Sequence, residues 1–163
     1  MFTPDLHGWI FRPAAISEAE EACAAIRSSI IELCGADHDG DRAILDRWLA
    51  NKTPDQTRQW IEANPTGVLV AAGAAGIGGA GMVMPDGRIA LNYVASWARF
   101  ARVSKGLMMA MERCAAEWGH ASCHLTSTVT AHRFYHAYGY RDAGEPVASF
   151  GDKFAFPMRR AIR

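Results

Sequence analysis

The sequence has no excess charge of either sign, because 17 lysines and arginines balance 17 aspartates and glutamates. A nucleic-acid-binding surface needs a clear basic excess, so we expect no nucleic-acid partner. No apolar run approaches the ~20 residues of a membrane span, so we expect no membrane partner. Residues 1–5 lack the basic segment and apolar core that begin a secretory signal.

Cysteine is also scarce, with four residues and no Cys-x-x-Cys pair. Such spacings fit neither a zinc site nor a disulfide framework, and isolated cysteines usually fill small apolar gaps. His132 and His136 are four residues apart, but the residues between them lack the glutamate of a zinc protease motif. We therefore predict no metal site and a reduced, cytoplasmic protein.

Apolar residues, in contrast, make up half of the 163 residues, which is enough for a substantial core. We expect one domain, residues 1–163. Helix start signals occur at Ser17, where Glu20 completes a capping box, at Asp41, and at Thr53 before a proline. They predict a helix from about residue 18 to 33 and two further helices after Asp41 and Thr53.

Strand patterns dominate the middle of the chain, at residues 67–72, 77–84 and 88–94. Turn sequences separate these segments, so they predict antiparallel hairpins. Residues 76–81 also match Gly-x-Gly-x-x-Gly, but the Pro-Asp-Gly turn that follows excludes the helix that a dinucleotide site needs. Beyond residue 100, the patterns predict a helix from Leu107, a strand at 122–127, a helix at 131–138, and short strands near Tyr140 and Phe154.

The segment 99–107 lies between a predicted strand and a predicted helix and contains two arginines and a lysine. A tight loop that opens a helix directs free backbone N–H groups and the positive end of the helix dipole to one point. This arrangement predicts a site for a phosphorylated ligand.

This loop resembles the acyl-CoA pyrophosphate loop of the GNAT superfamily of N-acyltransferases, whose pattern is Arg/Gln-x-x-Gly-x-Gly/Ala before an apolar helix. Arg99, Ser104 and Leu107 occupy matching positions, and Arg102 replaces the central glycine. If that position needs a positive φ, arginine costs about 1–2 kcal/mol there. Alternatively, the Arg102 guanidinium contacts phosphate directly.

A second segment, residues 128–140, resembles the later family motif Asn-x-x-Ala-x-x-Phe-Tyr-x-x-x-Gly-Phe/Tyr. Thr128 replaces the asparagine. The other motif positions match, and they are Ala131, Phe134, Tyr135, Gly139 and Tyr140.

The resemblance implies a mixed α/β fold, with a central, mostly antiparallel, twisted sheet of about six to seven strands flanked by about four to five helices. It implies acetyl transfer from acetyl-CoA to a primary amine of a small molecule or peptide, by direct attack in a ternary complex. It also implies a bulged strand around Tyr93 and Val94, with a backbone N–H that polarises the acetyl carbonyl. The implied acetyl-CoA-binding residues are Tyr93, Val94, Arg99, Ala101, Arg102, Val103, Ser104, Thr128 and Phe134.

The resemblance places Tyr135 as the general acid that protonates the leaving thiolate, although a core aromatic is the alternative. The fourth strand has no carboxylate for a general base, so Asp37 and His38 are the candidates. There Asp37 would also attract the amine, and Asn92 would orient it. A solvated polar loop, or a base acting through water, remains an alternative.

A non-catalytic acyl-CoA-binding module, or an interaction domain without CoA affinity, remains open because a fold does not fix a function. A homodimer is also possible. Cys123 is a poor candidate for an acyl carrier, because a strand cysteine beside a core is a weak nucleophile.

Overall fold

The computed structural model describes residues 7–162, so the segment 1–5, where we expect no secretory signal, lies outside the described residues. Within 7–162 the chain forms eight strands and six α-helices, with 3₁₀ turns at Ile16–Glu18 and Ser96–Ala98. The strands are β1 (Ile10–Pro13), β2 (Val68–Gly73), β3 (Gly76–Val83), β4 (Ile89–Val94), β5 (Ser122–Ser127), β6 (Arg141–Asp142), β7 (Val147–Ala148) and β8 (Phe154–Ala161). The helices are α1 (Ala19–Leu33), α2 (Gly35–His38), α3 (Arg42–Leu49), α4 (Pro54–Ala63), α5 (Val103–Glu117) and α6 (Val129–Tyr138).

The strands form two antiparallel sheets, where the sequence predicted a single one of about six to seven strands. The first has the order β1-β2-β3-β4. In the second, β8 pairs with β5, β6 and β7. Between β4 and β5, the pairing among the described residues is one parallel bridge from Arg88 to His124. The predicted mixed α/β fold is confirmed, and the gap between β4 and β5 leaves one edge of β4 open.

The glycine-rich segment 76–81 lies in β3 and leads into β4, as its turn context predicts. A Cβ at Gly79 would lie 2.7 Å from Val103 Cγ1, and one at Gly81 would lie 2.8 Å from Met111 Sδ. Both distances are shorter than van der Waals contact, and a Cβ at Gly79 would also lie 2.8 Å from the Tyr93 carbonyl oxygen, so glycine lets α5 approach the sheet this closely. These glycines therefore serve packing.

Two of the three predicted helix caps are confirmed. The Asp41 carboxylate accepts hydrogen bonds from the N–H groups of Ala43 and Ile44. The Thr53 hydroxyl accepts one from the N–H of Gln56. Each satisfies N–H groups that have no partner within the helix.

The third predicted cap, Ser17 with Glu20, is wrong. Residues 16–18 form a 3₁₀ turn, and α1 begins at Ala19. The carboxylate that reaches back is that of Glu18, which accepts from the Ala15 N–H at 2.9 Å. Arg12 holds Glu18 there through two hydrogen bonds of 2.6 and 2.9 Å, a tertiary contact that the local pattern does not contain.

The core lies between the first sheet and the helices α1 and α5, which pack against its strands. Phe11, Ile26, Leu107 and Met111 are at most 1% exposed, and they link β1, α1 and α5. No helix within the described range is long and apolar enough to cross a membrane.

A buried polar cluster joins the second sheet to α5 and α6. Glu112 accepts hydrogen bonds from the hydroxyls of Tyr138 and Tyr140, and from Arg160 Nη1 at 2.7 Å. Burial, and next the charge of Glu112, raise the pKa of Tyr140, so this phenol stays protonated and keeps donating. One carboxylate therefore anchors three elements.

Replacing Glu112 with glutamine is expected to lower the free energy of unfolding by about 2–3 kcal/mol, because the Arg160 guanidinium loses its anionic partner. Thermal unfolding should show a midpoint about 5–10 °C lower. Glu117→Gln, an exposed change on the same helix, should shift it by less than about 2 °C. Equal midpoints for the two variants would contradict the prediction.

Candidate functional site

A cavity of about 450 Å³ lies where β4 and β5 separate, closed at its sides by α1, α5 and α6. Ten of the thirteen predicted site residues line it, and Ala101, Asp37 and His38 do not. The ten are Asn92, Tyr93, Val94, Arg99, Arg102, Val103, Ser104, Thr128, Phe134 and Tyr135.

One end of the cavity is positively charged. Arg99, Arg102 and Lys105 line it, beside the first turn of α5. The first helical hydrogen bond runs from the Gly106 N–H to the Arg102 carbonyl, at 3.0 Å. The N–H groups of residues 103–105 therefore have no acceptor within the helix. Fixed charge and the helix dipole act together here, which is the chemistry of a phosphate site.

Arg102 occupies the loop position at which the family pattern has glycine, and its backbone conformation shows what that position requires. It is the N-cap of α5 and has φ 60° and ψ 16°, in the left-handed region. Phe100, two residues earlier, also has a positive φ, of 65°. The loop thus needs the conformation that the family's glycine supplies, and Arg102 adopts it at a cost of about 1 kcal/mol. Its side chain, which glycine lacks, lines the charged end of the cavity.

The open edge of β4 connects this charged end to the centre of the cavity. The Ala95 N–H donates to the Gly78 carbonyl of β3. Backbone groups alternate in direction along an antiparallel strand, so those of Asn92 and Val94 face the opposite edge, toward β5. The register shift of β4 lies opposite Met82 and Val83, at Ala90. The bulge expected at Tyr93 and Val94 is therefore corrected: both residues pair regularly with β3.

Asn92 and Tyr135 meet at the centre of the cavity. Asn92 Nδ2 donates to the Tyr135 hydroxyl at 3.4 Å, which leaves the phenolic hydrogen free to point elsewhere. In the described part of the chain, no donor reaches the buried Asn92 Oδ1. Burial raises the pKa of Tyr135 to about 12, although the hydrogen bond from the Asn92 amide lowers that pKa in part. The pair thus presents one acid and one unsatisfied acceptor to the cavity.

Tyr93 follows Asn92 in β4, so its side chain lies on the opposite face of the strand. Its hydroxyl also has a different partner from that of Tyr135. Its hydroxyl accepts from Trp48 Nε1, at 3.3 Å, which ties β4 to α3. Burial raises the pKa of Tyr93 as well. The contact supports the wall of the cavity on the side of α3.

The alternative that Asp37 lies in a solvated polar loop does not hold, because residues 35–38 form the short helix α2. Asp37 is 6% exposed. Its carboxylate accepts from the N–H groups of Val129 and Thr130, at 2.7 and 3.1 Å, and from the Thr130 hydroxyl. Asp37 thus caps the amino end of α6, outside the cavity lining.

His38 is also buried, at 4% exposed. Its Nε2 lies 3.0 Å from the Ile30 carbonyl, and its Nδ1 accepts from the Gly40 N–H at 2.9 Å. These partners fix the neutral tautomer that carries hydrogen on Nε2. Both ring nitrogens are used in backbone contacts, so the position expected for a general base is that of a structural histidine.

The two predicted residues on α6 differ in what they do. Thr128 lines the cavity, but its hydroxyl accepts from the Ala131 N–H and completes the cap that Asp37 begins. Phe134 packs its ring 5.2 Å from that of Tyr135 at 67°. Thr128 therefore orients the helix, and Phe134 holds the ring of Tyr135 edge-on.

The cavity also touches residues that the sequence did not single out. Cys34 lines it, and burial, with the nearby Asp37 charge, raises the pKa of its thiol to about 12. Cys123 lies in the core away from the cavity, and burial raises its pKa to about 11. Neither thiol is a ready nucleophile. The other missed lining residues are apolar or hydroxyl side chains without a motif, among them Ser29, Leu33, Leu91, Leu125, Thr126 and Thr130.

Comparison with known families agrees with this architecture. The family model for the acetyltransferase (GNAT) domain matches residues 35–161, which is more than half of the chain. No curated protein matches the sequence.

Several solved structures share the fold. A GCN5-related N-acetyltransferase from Rhodopseudomonas palustris superposes with a TM-score of 0.81 at 18% identity, covering 98% of this chain and 99% of that one. Ard1 from Thermoplasma volcanium gives 0.72 at 19% identity, covering 96% and 99%. The PaiA N-acetyltransferase from Thermoplasma acidophilum, in complex with coenzyme A, gives 0.69 at 14% identity, covering 93% and 98%. With the family match over residues 35–161, the chain belongs to the GNAT acetyltransferases.

Proposed function

We propose that the protein transfers an acetyl group from acetyl-CoA to a primary amine of a small molecule or peptide. The observation that carries the proposal is one continuous cavity, which runs from the positive loop at α5, along the open edge of β4, to Tyr135. The phosphate end, the backbone edge and the acid stand in the order that a thioester donor requires.

The α5 loop is the proposed phosphate site. Backbone N–H groups of residues 101–105 and the guanidinium groups of Arg99 and Arg102 bind the pyrophosphate, and the Ser104 hydroxyl adds a donor. The open edge of β4 then offers the backbone groups of Asn92 and the Val94 carbonyl to the pantetheine amides, which leaves the Val94 N–H for the acetyl carbonyl. This binding directs the thioester toward Tyr135.

The amine attacks the carbonyl carbon directly, forming the C–N bond, while the carbonyl oxygen becomes an oxyanion. The Val94 N–H stabilises that oxyanion. As the intermediate collapses, the C–S bond breaks and Tyr135 donates its proton to the sulfur. The nitrogen loses a proton to water, and Tyr135 is reprotonated from solvent. No acyl-enzyme forms, which fits the raised thiol pKa of Cys34.

Asn92 is the proposed acceptor-binding residue. Its Oδ1 can accept one N–H of the incoming amine and direct the lone pair at the carbonyl carbon. Among the described residues, no carboxylate lines the cavity, whereas three cationic side chains do. We therefore expect the amine to bind uncharged and to lose its proton to water.

Titration of acetyl-CoA into the protein, followed by calorimetry, tests donor binding. We expect micromolar affinity for the native chain. Arg102→Gly and Arg102→Ala should each bind about five- to tenfold more weakly, because both lose a charge-assisted contact. Arg102→Gly should unfold at a higher temperature than Arg102→Ala, since glycine adopts the positive φ without strain and alanine does not.

The result that would overturn this role is tighter binding by Arg102→Gly than by the native chain. No heat in any of the three proteins would exclude acetyl-CoA as the donor. Catalysis is tested separately, by measuring CoA thiol release with a panel of primary amines. Binding without release for any amine would favour the alternative, a non-catalytic acyl-CoA-binding module.

A further inference from the structure

We propose that His132, His136 and Asp142 form a binding site for a divalent transition-metal ion, independent of the acetyl-CoA cavity. One potential ligand atom from each residue lies within 4.8 Å of the others. His132 Nε2 is 2.8 Å from Asp142 Oδ1, and His136 Nε2 is 3.4 Å from Asp142 Oδ2. Ligand atoms around a tetrahedral zinc ion are about 3.3 Å apart, so these side chains need only small shifts.

The two histidines are well placed because they are four residues apart on α6, so both point from the same helix face. Their ring centroids are 4.7 Å apart. The His132 ring also stacks on Phe156 of β8, at 4.0 Å and 10°. A ring held by stacking loses little freedom when it binds a metal, which favours affinity.

The third ligand comes from a different element. Asp142 belongs to β6, which pairs with β8 at Met158 and Arg159. This pairing places the carboxylate over the helix, six residues beyond His136 in sequence. The prediction of no metal site rested on the cysteine spacings and on the missing glutamate between the two histidines, and the chain between α6 and β6 gives no motif for the third ligand.

The donor set indicates which ions would bind. Two imidazole nitrogens and one carboxylate oxygen suit Zn²⁺, Co²⁺, Ni²⁺ or Cu²⁺, whereas Mg²⁺ and Ca²⁺ prefer oxygen ligands. Water would fill the fourth position, because all three side chains are partly exposed. The nearby Arg141 donates to the carbonyls of His136 and Tyr140. Its charge disfavours a cation, so we expect micromolar rather than tighter affinity.

The competing explanation is that Asp142 only forms ion pairs with the two histidines. The two explanations differ in what Zn²⁺ does. A metal site binds one Zn²⁺ ion per chain, and its affinity depends on all three side chains. If Asp142 only forms ion pairs with the histidines, Zn²⁺ binds with no fixed stoichiometry and does not depend on these three residues.

Titration of Zn²⁺ into the full chain without a histidine tag, followed by calorimetry near neutral pH, tests the proposal. We expect one ion per chain. Asp142→Asn and His136→Gln should each weaken binding at least about tenfold. His124→Gln removes an exposed histidine outside the cluster and should leave the affinity unchanged.

Co²⁺ provides a second measurement, because its visible absorption reports coordination directly. The native chain should give a d–d band that Asp142→Asn lacks, and circular dichroism should show that both proteins are folded. Absence of Zn²⁺ binding by the native chain would overturn the proposal. Binding that survives in both cluster variants, or that is lost in His124→Gln, would also overturn it.

Discussion

Replacing Tyr135 with phenylalanine is expected to lower kcat for acetyl transfer by about 100- to 1000-fold, which lies within the range of about 100- to 10,000-fold that a positioned general acid supplies. The affinity for acetyl-CoA should stay within about threefold, because the phosphate and pantetheine contacts that we propose lie on α5 and β4. Thiol release under saturating substrates measures the first quantity, and calorimetry measures the second. A fall in kcat at constant donor affinity identifies a group that acts in the transition state.

The environment of Tyr135 explains why the loss should be large. Tyr135 is 7% exposed. Its oxygen accepts from Asn92, so the phenolic hydrogen is the one part of the group that remains to be donated. A proton donor that is already positioned beside the sulfur protonates the leaving thiolate faster than water that must first diffuse to it. Phenylalanine keeps the packing against Phe134 and removes only this donor.

The pH dependence should be one-sided. Because the pKa of Tyr135 is raised to about 12, the acid stays protonated across the neutral and moderately alkaline range. The rate should therefore rise with pH as the acceptor amine loses its proton, and then level off. A fall in rate between about pH 8 and 10 would mean that the acid has the pKa of an ordinary, less buried group.

Tyr138→Phe is the matched control, since it makes the same change one helical turn away. The Tyr138 hydroxyl donates to Glu112 and does not line the cavity. Its loss should lower the free energy of unfolding by about 1 kcal/mol and leave kcat within about threefold. A comparable loss of kcat in both variants would assign the effect to the packing of α6, not to proton transfer.

The sequence predicted the part of the site that local patterns determine. The loop at residues 99–105 and the motif of α6 are short segments, and each positions its own side chains. Arg102 marks the limit of local patterns, because they leave open whether its position needs a positive φ, and the structure gives it a φ of 60°.

The residues placed wrongly are those whose contacts come from distant segments. Asp37 and the amino end of α6 are 92 residues apart, and nothing between them marks the pairing. A polar segment between two helices looks like a solvated loop when its partner is not visible. Asp142 beside His132 is a similar case, because the pairing of β6 with β8 brings it there.

The second large effect is expected from Asp37→Ala, which should lower the free energy of unfolding by about 3 kcal/mol. The change leaves the N–H groups of Val129 and Thr130 without their buried acceptor, along with the Thr130 hydroxyl. The thermal midpoint should fall by about 6–12 °C. Asp39→Asn, on the exposed end of the same segment, should change it by less than about 2 °C.

Asp37→Asn separates this structural role from the catalytic one that the sequence suggested. The amide oxygen can still accept a hydrogen bond from the amino end of α6, but the NH₂ group is a donor and faces other donors there. The amide cannot act as a base. If Asp37 only caps α6, stability should fall by about 1–2 kcal/mol, and kcat, measured well below the midpoint, should stay within about fivefold. If Asp37 were the catalytic base, the variant's kcat would instead fall by about 100-fold or more at any temperature where the chain is folded. Because the carboxylate lies outside the cavity and already holds three donors, we expect the first result.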